Sequence, residues 1–188
     1  MKPAILIVAA ALPLAACNKQ PEVHARNASV AEVESKMRDA RESGSFIRPG
    51  KWQTKTTVED ISVPGMPAEF ADQMKKTIAM HQEQTFETCL TEEDVRKPSE
   101  DFFTGKNNEC RYDHFTMAGG KIDAEMRCDG GKGGQQGMTM TMVGSYSPDA
   151  YQMQMSMKSQ GGEGMEGGMA MTMRSDAKRV GACTGKES

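Results

Sequence analysis

Apolar and polar residues alternate over much of the chain, and the period of that alternation sets the expected elements. Trp52, Thr54, Thr56 and Val58 alternate with polar neighbours, which predicts a half-buried strand beginning at Lys51. Pro64-Gly65-Met66-Pro67 ends it. Phe70, Met74 and Ile78 then recur every fourth residue and predict a second helix over about 68–82, before a strand around Thr85–Leu90. Residues 91–109 are polar and read as a loop. Upstream, Ser29-Val30-Ala31-Glu32 is a capping box, and Val30, Val33 and Met37 keep helical spacing until Gly44. That predicts an amphipathic helix over 29–44, docked on the domain rather than on lipid because its polar face is not basic.

Two hairpins follow. Cys110–Met117 and Lys121–Cys128 flank Gly119-Gly120, a two-residue turn signal. Closing Ala118 on Lys121 faces Met117 with Ile122 and Phe115 with Ala124, on a side shared with Met126 and Cys128. The other side then carries Cys110, Tyr112, His114, Asp123, Glu125 and Arg127. Ser147-Pro148-Asp149-Ala150 reads as a type I turn. Its register sets Tyr146 against Tyr151, Met142 against Met155 and Met140 against Met157. A last strand over about 169–175 repeats the alternation with Met169, Met171 and Met173. The fold expected is mainly β: a curved antiparallel sheet or small barrel of about seven strands with two short helices, closed partly by the second helix.

The N-terminus has a different pattern. Lys2 precedes an apolar run from Ala4 to Leu12, too short to span a bilayer. Leu14-Ala15-Ala16-Cys17 then resembles the bacterial lipobox. In such signals residues 1–16 are removed and Cys17 becomes an acylated N-terminus carrying chains such as palmitate, which hold a protein firmly at a membrane. Asn18 rather than Asp follows the cysteine, which by the usual sorting pattern points to the outer membrane, facing the periplasm. Residues 17–28 read as a polar tether, and the β-rich domain as 46–184.

Composition changes this picture at two points. The formal charge of −3 offers no basic footprint, so nucleic acid is excluded as a partner. Beyond the leader, one leucine (Leu90) stands against 16 methionines, so thioethers occupy positions that branched aliphatics usually fill. Cys89, Cys110, Cys128 and Cys183 remain, an even number in an oxidising compartment, and read as two disulfides. With Cys128 on the apolar side and Cys110 and Cys89 facing outward, the expected pairing is Cys89–Cys110 and Cys128–Cys183.

The methionines are the first candidates for chemistry. Met138, Met140, Met142, Met153, Met155 and Met157 form Met-x-Met repeats that could ligate Cu(I), since thioethers select soft metals. Methionine is equally a flexible filler of irregular cores. The opposite faces carry Thr139, Thr141, Gln152, Gln154 and Ser156, so a packed core comes first, then an apolar-ligand cavity, then copper. A sink for oxidants, cycling methionine sulfoxide, is a further reading. The histidines are His24, His81 and His114, with no close ligand pair, and His114 is expected across from Glu125 as a surface pair. Gly162-Glu163-Gly164-Met165-Glu166-Gly167 and the glycine run at 130–134 open no helix and read as loops. No catalytic motif is present, so no enzyme and no cofactor are expected.

Gly50-Lys51-Trp52 opening a strand, Cys89-Leu90-Thr91, Cys110, Cys128, Gly144-Ser145-Tyr146 and the closing Gly181-Ala182-Cys183 together resemble domain-of-unknown-function family 3617 over about residues 46–184. These are small exported proteins of proteobacteria, often lipoproteins. The resemblance implies envelope location and a β-rich fold, and brings no catalytic residues. The function expected is a lipid-anchored, non-enzymatic binding or interaction module meeting a hydrophobic ligand or envelope protein, with periplasmic Cu(I) binding as the alternative.

Overall fold

The computed structural model describes residues 21–42, 44, 46–81, 85–96, 110–130, 137–160 and 168–185. The strands are β1 (Val23–Ser29), β2 (Gly50–Ser62), β3 (Thr85–Leu90), β4 (Cys110–Ala118), β5 (Lys121–Cys128), β6 (Met138–Ser147), β7 (Ala150–Ser159) and β8 (Ala170–Gly181). The helices are α1 (Val30–Glu42), α2 (Ala68–His81) and α3 (Glu92–Arg96). All strand pairings are antiparallel and form one open sheet in the order β1-β4-β5-β6-β7-β8-β2-β3. No described helix is long and apolar enough to cross a membrane.

The sheet has one strand more than the alternation predicts. Part of the expected tether is β1, which lies antiparallel to β4 with Val23, Ala25 and Ala28 buried. Its short apolar residues gain burial only once β4 is beside them, which local pattern does not reveal. The expected loop 91–109 likewise contains α3, set by a reciprocal cap. Thr91 Oγ accepts the Asp94 N–H (3.1 Å), and the Asp94 carboxylate accepts the Thr91 N–H (2.8 Å).

β5 alternates without interruption, but β1 and β4 do not. Cys110, Arg111 and Tyr112 face Cys128, Arg127 and Met126, whereas His114 faces Glu125, so Asp113 is an extra residue in β4. Arg26 pairs with His114 and Ala28 with Tyr112, which leaves Asn27 opposite that bulge in the left-handed region at φ 46°. Arginines hold both irregular residues. Arg111 donates to the Asn27 side chain (3.2 Å) and carbonyl, and Arg127 pairs with the Asp113 carboxylate.

The bulge corrects the predicted faces. Past it, Cys110 and Tyr112 turn to the inner side and are buried with Phe115, Met117, Ile122, Ala124 and Met126. Tyr112 and Phe115 meet edge to face at 5.4 Å. The Ser29 half of the capping box forms as expected, with Ser29 Oγ accepting the Glu32 N–H at 3.2 Å. α1 then lays Val33 and Met37 onto this core.

The disulfides are Cys110–Cys128 and Cys89–Cys183, and not the expected pairs. The bulge places Cys110 directly opposite Cys128, with Cα atoms 3.9 Å apart. Strand order explains the other bond. β2 lies between β3 and β8, and Lys51 pairs with both Cys89 and Gly181, so Cys183 reaches β3 across the start of β2.

Helix α2 does not close the sheet. It packs near β2, but Phe70 is 62% exposed and none of its described residues is buried. Curvature follows from the cavity described below, which is bordered by both β3 and β4. In a flat sheet these strands, six spacings apart, would lie about 29 Å from one another.

Non-reducing peptide mapping is expected to return Cys89–Cys183 and Cys110–Cys128. The first bond closes 94 residues and the second 18. In the chain-entropy account these are worth about 4–5 and about 3 kcal/mol. Replacing the Cys89–Cys183 pair by alanine should therefore cost more urea stability than replacing the other pair.

Candidate functional site

The inner face of the sheet, α1 and the segment after it border a half-open cavity of about 450 Å³, within the size range of small-molecule sites. Its walls come from distant parts of the chain. α1 supplies Met37 and Arg41, and Phe46 and Ile47 follow. β4 and β5 add Phe115, Met117 and Ile122, and the second hairpin adds Met142, Tyr146, Tyr151 and Met153. Leu90 and Val95 close the far side. Phe46 and Tyr146 meet edge to face at 5.7 Å, while Tyr151 stacks on Trp52 at 5.9 Å, so aromatic packing fixes this wall. Gly144 faces Met153 across the hairpin, where an added Cβ would strike the Gln152 carbonyl oxygen. Only glycine lets the two strands approach there.

Two charged side chains border this largely apolar space, Arg41 and Asp94. The Asp94 carboxylate is held by the Thr91 N–H and hydroxyl, which lower its pKa below the ordinary carboxylate value. It serves to cap α3. Arg41 is half-buried, and burial lowers its pKa with no offsetting carboxylate among the described residues. The Tyr146 hydroxyl is buried, and burial raises its pKa while the Gly120 backbone acts in the opposite sense.

The expected methionine faces are correct in register but not in burial. Met126, Met140, Met157 and Met171 line up across four strands, and Met142, Met155 and Met173 form the next row. Met138, Met140, Met142, Met153, Met155 and Met157 are all half-buried, and β7 contains no fully buried residue. Met140, Met142 and Met153 pack against the core. The packed core itself is built from α1, β1, β4, β5, Phe46 and Tyr146. The stripe is thus a flank of that core rather than the core.

The remaining candidates are dispersed. His24 is exposed beside Glu22 (3.8 Å), and His81 closes α2. His114 faces Glu125 in register as expected, and its Nε2 meets Asp123 Oδ1 at 3.0 Å. Among the described residues no three His, Cys, Asp or Glu side chains gather as a metal site. Cys17, with the leader, lies outside the described residues, as do Gly162–Gly167 and most of the 130–134 run. Sequence reasoning missed Arg41. Its signal was present: Val33, Met37 and Arg41 are spaced by four, so the buried stripe of α1 ends on a cation.

A second perturbed group sits in the adjoining core. The Tyr112 phenol is pushed up to about 12, chiefly by burial and then by the Glu34 carboxylate. The fold thus holds the neutral phenol, whereas an unfolded tyrosine ionises near pH ~10. Stability should be complete below about pH 10 and be lost as pH rises toward about 12, by about 2–3 kcal/mol. Rapid urea titrations across that window should show a flatter decline for Tyr112→Phe. Equal declines would mean that this phenol ionises freely in the folded state.

The family model described as Protein of unknown function (DUF3617) matches residues 47–183. The chain belongs to that family. No curated protein and no solved structure matches it. The matched region begins just before β2 and ends on Cys183, so β1 and α1, with Arg41, lie outside it.

Proposed function

We propose that this DUF3617 member is a lipid-anchored protein of the bacterial cell envelope, held at the outer membrane through Cys17 and facing the periplasm. It works there as a non-enzymatic binding module whose concave face takes an apolar ligand. The cavity of about 450 Å³ carries this reading, because it is lined mainly by thioether, aliphatic and aromatic groups beside a packed core. Two disulfides accord with an oxidising compartment. The lipobox-like Leu14-Ala15-Ala16-Cys17 supplies the anchor. The titratable groups on the cavity wall, Arg41, Asp94, Tyr146 and Tyr151, include no nucleophile set beside a base.

The full chain expressed in a proteobacterial host should incorporate alkyne-palmitate, and Cys17→Ala should abolish the label. In lipid nanodiscs, a neutral photoreactive decanol should crosslink to peptides containing Phe115, Met142 or Met153. Absence of crosslinks there would overturn the binding reading.

One observation favours the second reading, periplasmic Cu(I) binding. Met140, Met157 and Met171 sit in one row and Met142, Met155 and Met173 in the next, so thioethers on three adjacent strands lie side by side. Met140→Leu, Met142→Leu, Met155→Leu and Met157→Leu together separate the readings. A binding module keeps its probe crosslinks in this variant, with each near-isosteric exchange costing less than about 1.5 kcal/mol. Cu(I) withdrawn from a chelator by the native chain and not by the variant would assign the face to metal.

A further inference from the structure

Arg41 is the feature of the cavity that packing leaves unexplained. It is the cationic group on that wall, it is half-buried, and burial lowers its pKa. Partly withdrawing a guanidinium from water is unfavourable unless its donors find partners. The C-terminal end of α1 gives a favourable dipole, since Arg41 stands in its last turn. Among the described residues that leaves the planar fork of N–H donors without an anion. Asp94 borders the same space, but its carboxylate is bound to Thr91. The rest of the wall offers apolar surface, including the flexible side chains of Met142 and Met153.

We propose that the cavity binds a single-chain amphiphile with an anionic head, a fatty carboxylate, whose head engages the Arg41 guanidinium while its chain lies against Phe115, Ile122, Met142 and Met153. This rests on the binding-module reading and adds the ligand's chemistry to it. The fork of Arg41 matches a carboxylate in a bidentate arrangement. The chain as a whole is acidic, so long-range attraction does not draw such a ligand in, and selectivity falls to this local contact. The thioethers let one cavity accept chains of differing length, because methionine repacks at little cost.

The test uses the full acylated chain in nanodiscs and two probes of equal length, a diazirine-bearing decanoate and the corresponding decanol. Decanoate should crosslink to the cavity peptides, and Arg41→Gln should weaken that labelling about 10- to 100-fold, as loss of a hydrogen bond to a charged group requires. Arg41→Lys should retain part of it, and decanol labelling should be the same in all three proteins. Urea melts and disulfide maps of the variants establish that they are folded. If decanoate and decanol label equally in the native chain, or Arg41→Gln leaves decanoate labelling unchanged, the anionic-head proposal is overturned while the binding-module reading stands. If neither probe labels the cavity, both fall.

Discussion

The architecture depends on one extra residue in β4, which β1 follows in unbroken register. Asn27 in β1 and Asp113 in β4 stand opposite each other, and past them both strands present the other face to the core. Without that phase change Cys110 and Tyr112 would point to solvent, because the face alternates with every residue. With it, Cys110 meets Cys128, and Tyr112 packs on Phe115 beneath α1. Asparagine tolerates the left-handed backbone that the bulge needs at position 27. Arg111 and Arg127 bind the two irregular residues from the polar side, so an outer-face hydrogen bond and an ion pair help fix which residues lie inside.

A second constraint is coverage. A single sheet must bury one face, yet α1 has only 13 residues and packs on β1 and β4. Over that half the core is closed, and Phe115, Val33 and Ala28 are almost inaccessible. Over β7 and β8 the inner face is half-buried except at Ala177, and there methionine replaces the branched aliphatics. The association has a physical basis. A flexible, polarizable thioether adapts to a partly filled space, whereas a branched aliphatic side chain packs well only against a complementary surface. Methionine richness and the cavity are thus two expressions of the same incomplete cover.

Much of this was legible in the sequence wherever the determining interactions are local or period-two. The Gly119-Gly120 turn, the pairing of Met117 with Ile122, the pairings of Met140 with Met157 and Met142 with Met155, and the Ser29 N-cap all appear as expected. What failed was non-local. β1 has weak alternation and becomes a strand only because β4 presents an edge to it. The disulfides were misassigned because the bulge reversed the face of Cys110, and because strand order, which brings Cys183 beside Cys89, is not a property of any one segment. The Thr91–Asp94 cap was local and readable, but it lay in a polar stretch with no apolar stripe to attract attention.

The site was less legible than the fold for the same reason. The inner face of the sheet could be inferred strand by strand, but a cavity exists only where surfaces from α1, β3, α3 and the two hairpins converge. Its scaffold and its charge also come from different regions. The strands that form most of the wall lie within the family match, whereas α1 and Arg41 lie before it. The matched range therefore contains β2 to β8 and the four disulfide cysteines, and the β1-α1 unit that covers part of the sheet's inner face lies before it. By completing the core over β4 and β5 while carrying a cation to the cavity's edge, α1 links two properties that would otherwise be independent: the stability of the sheet's first half and the polarity of the space over its second.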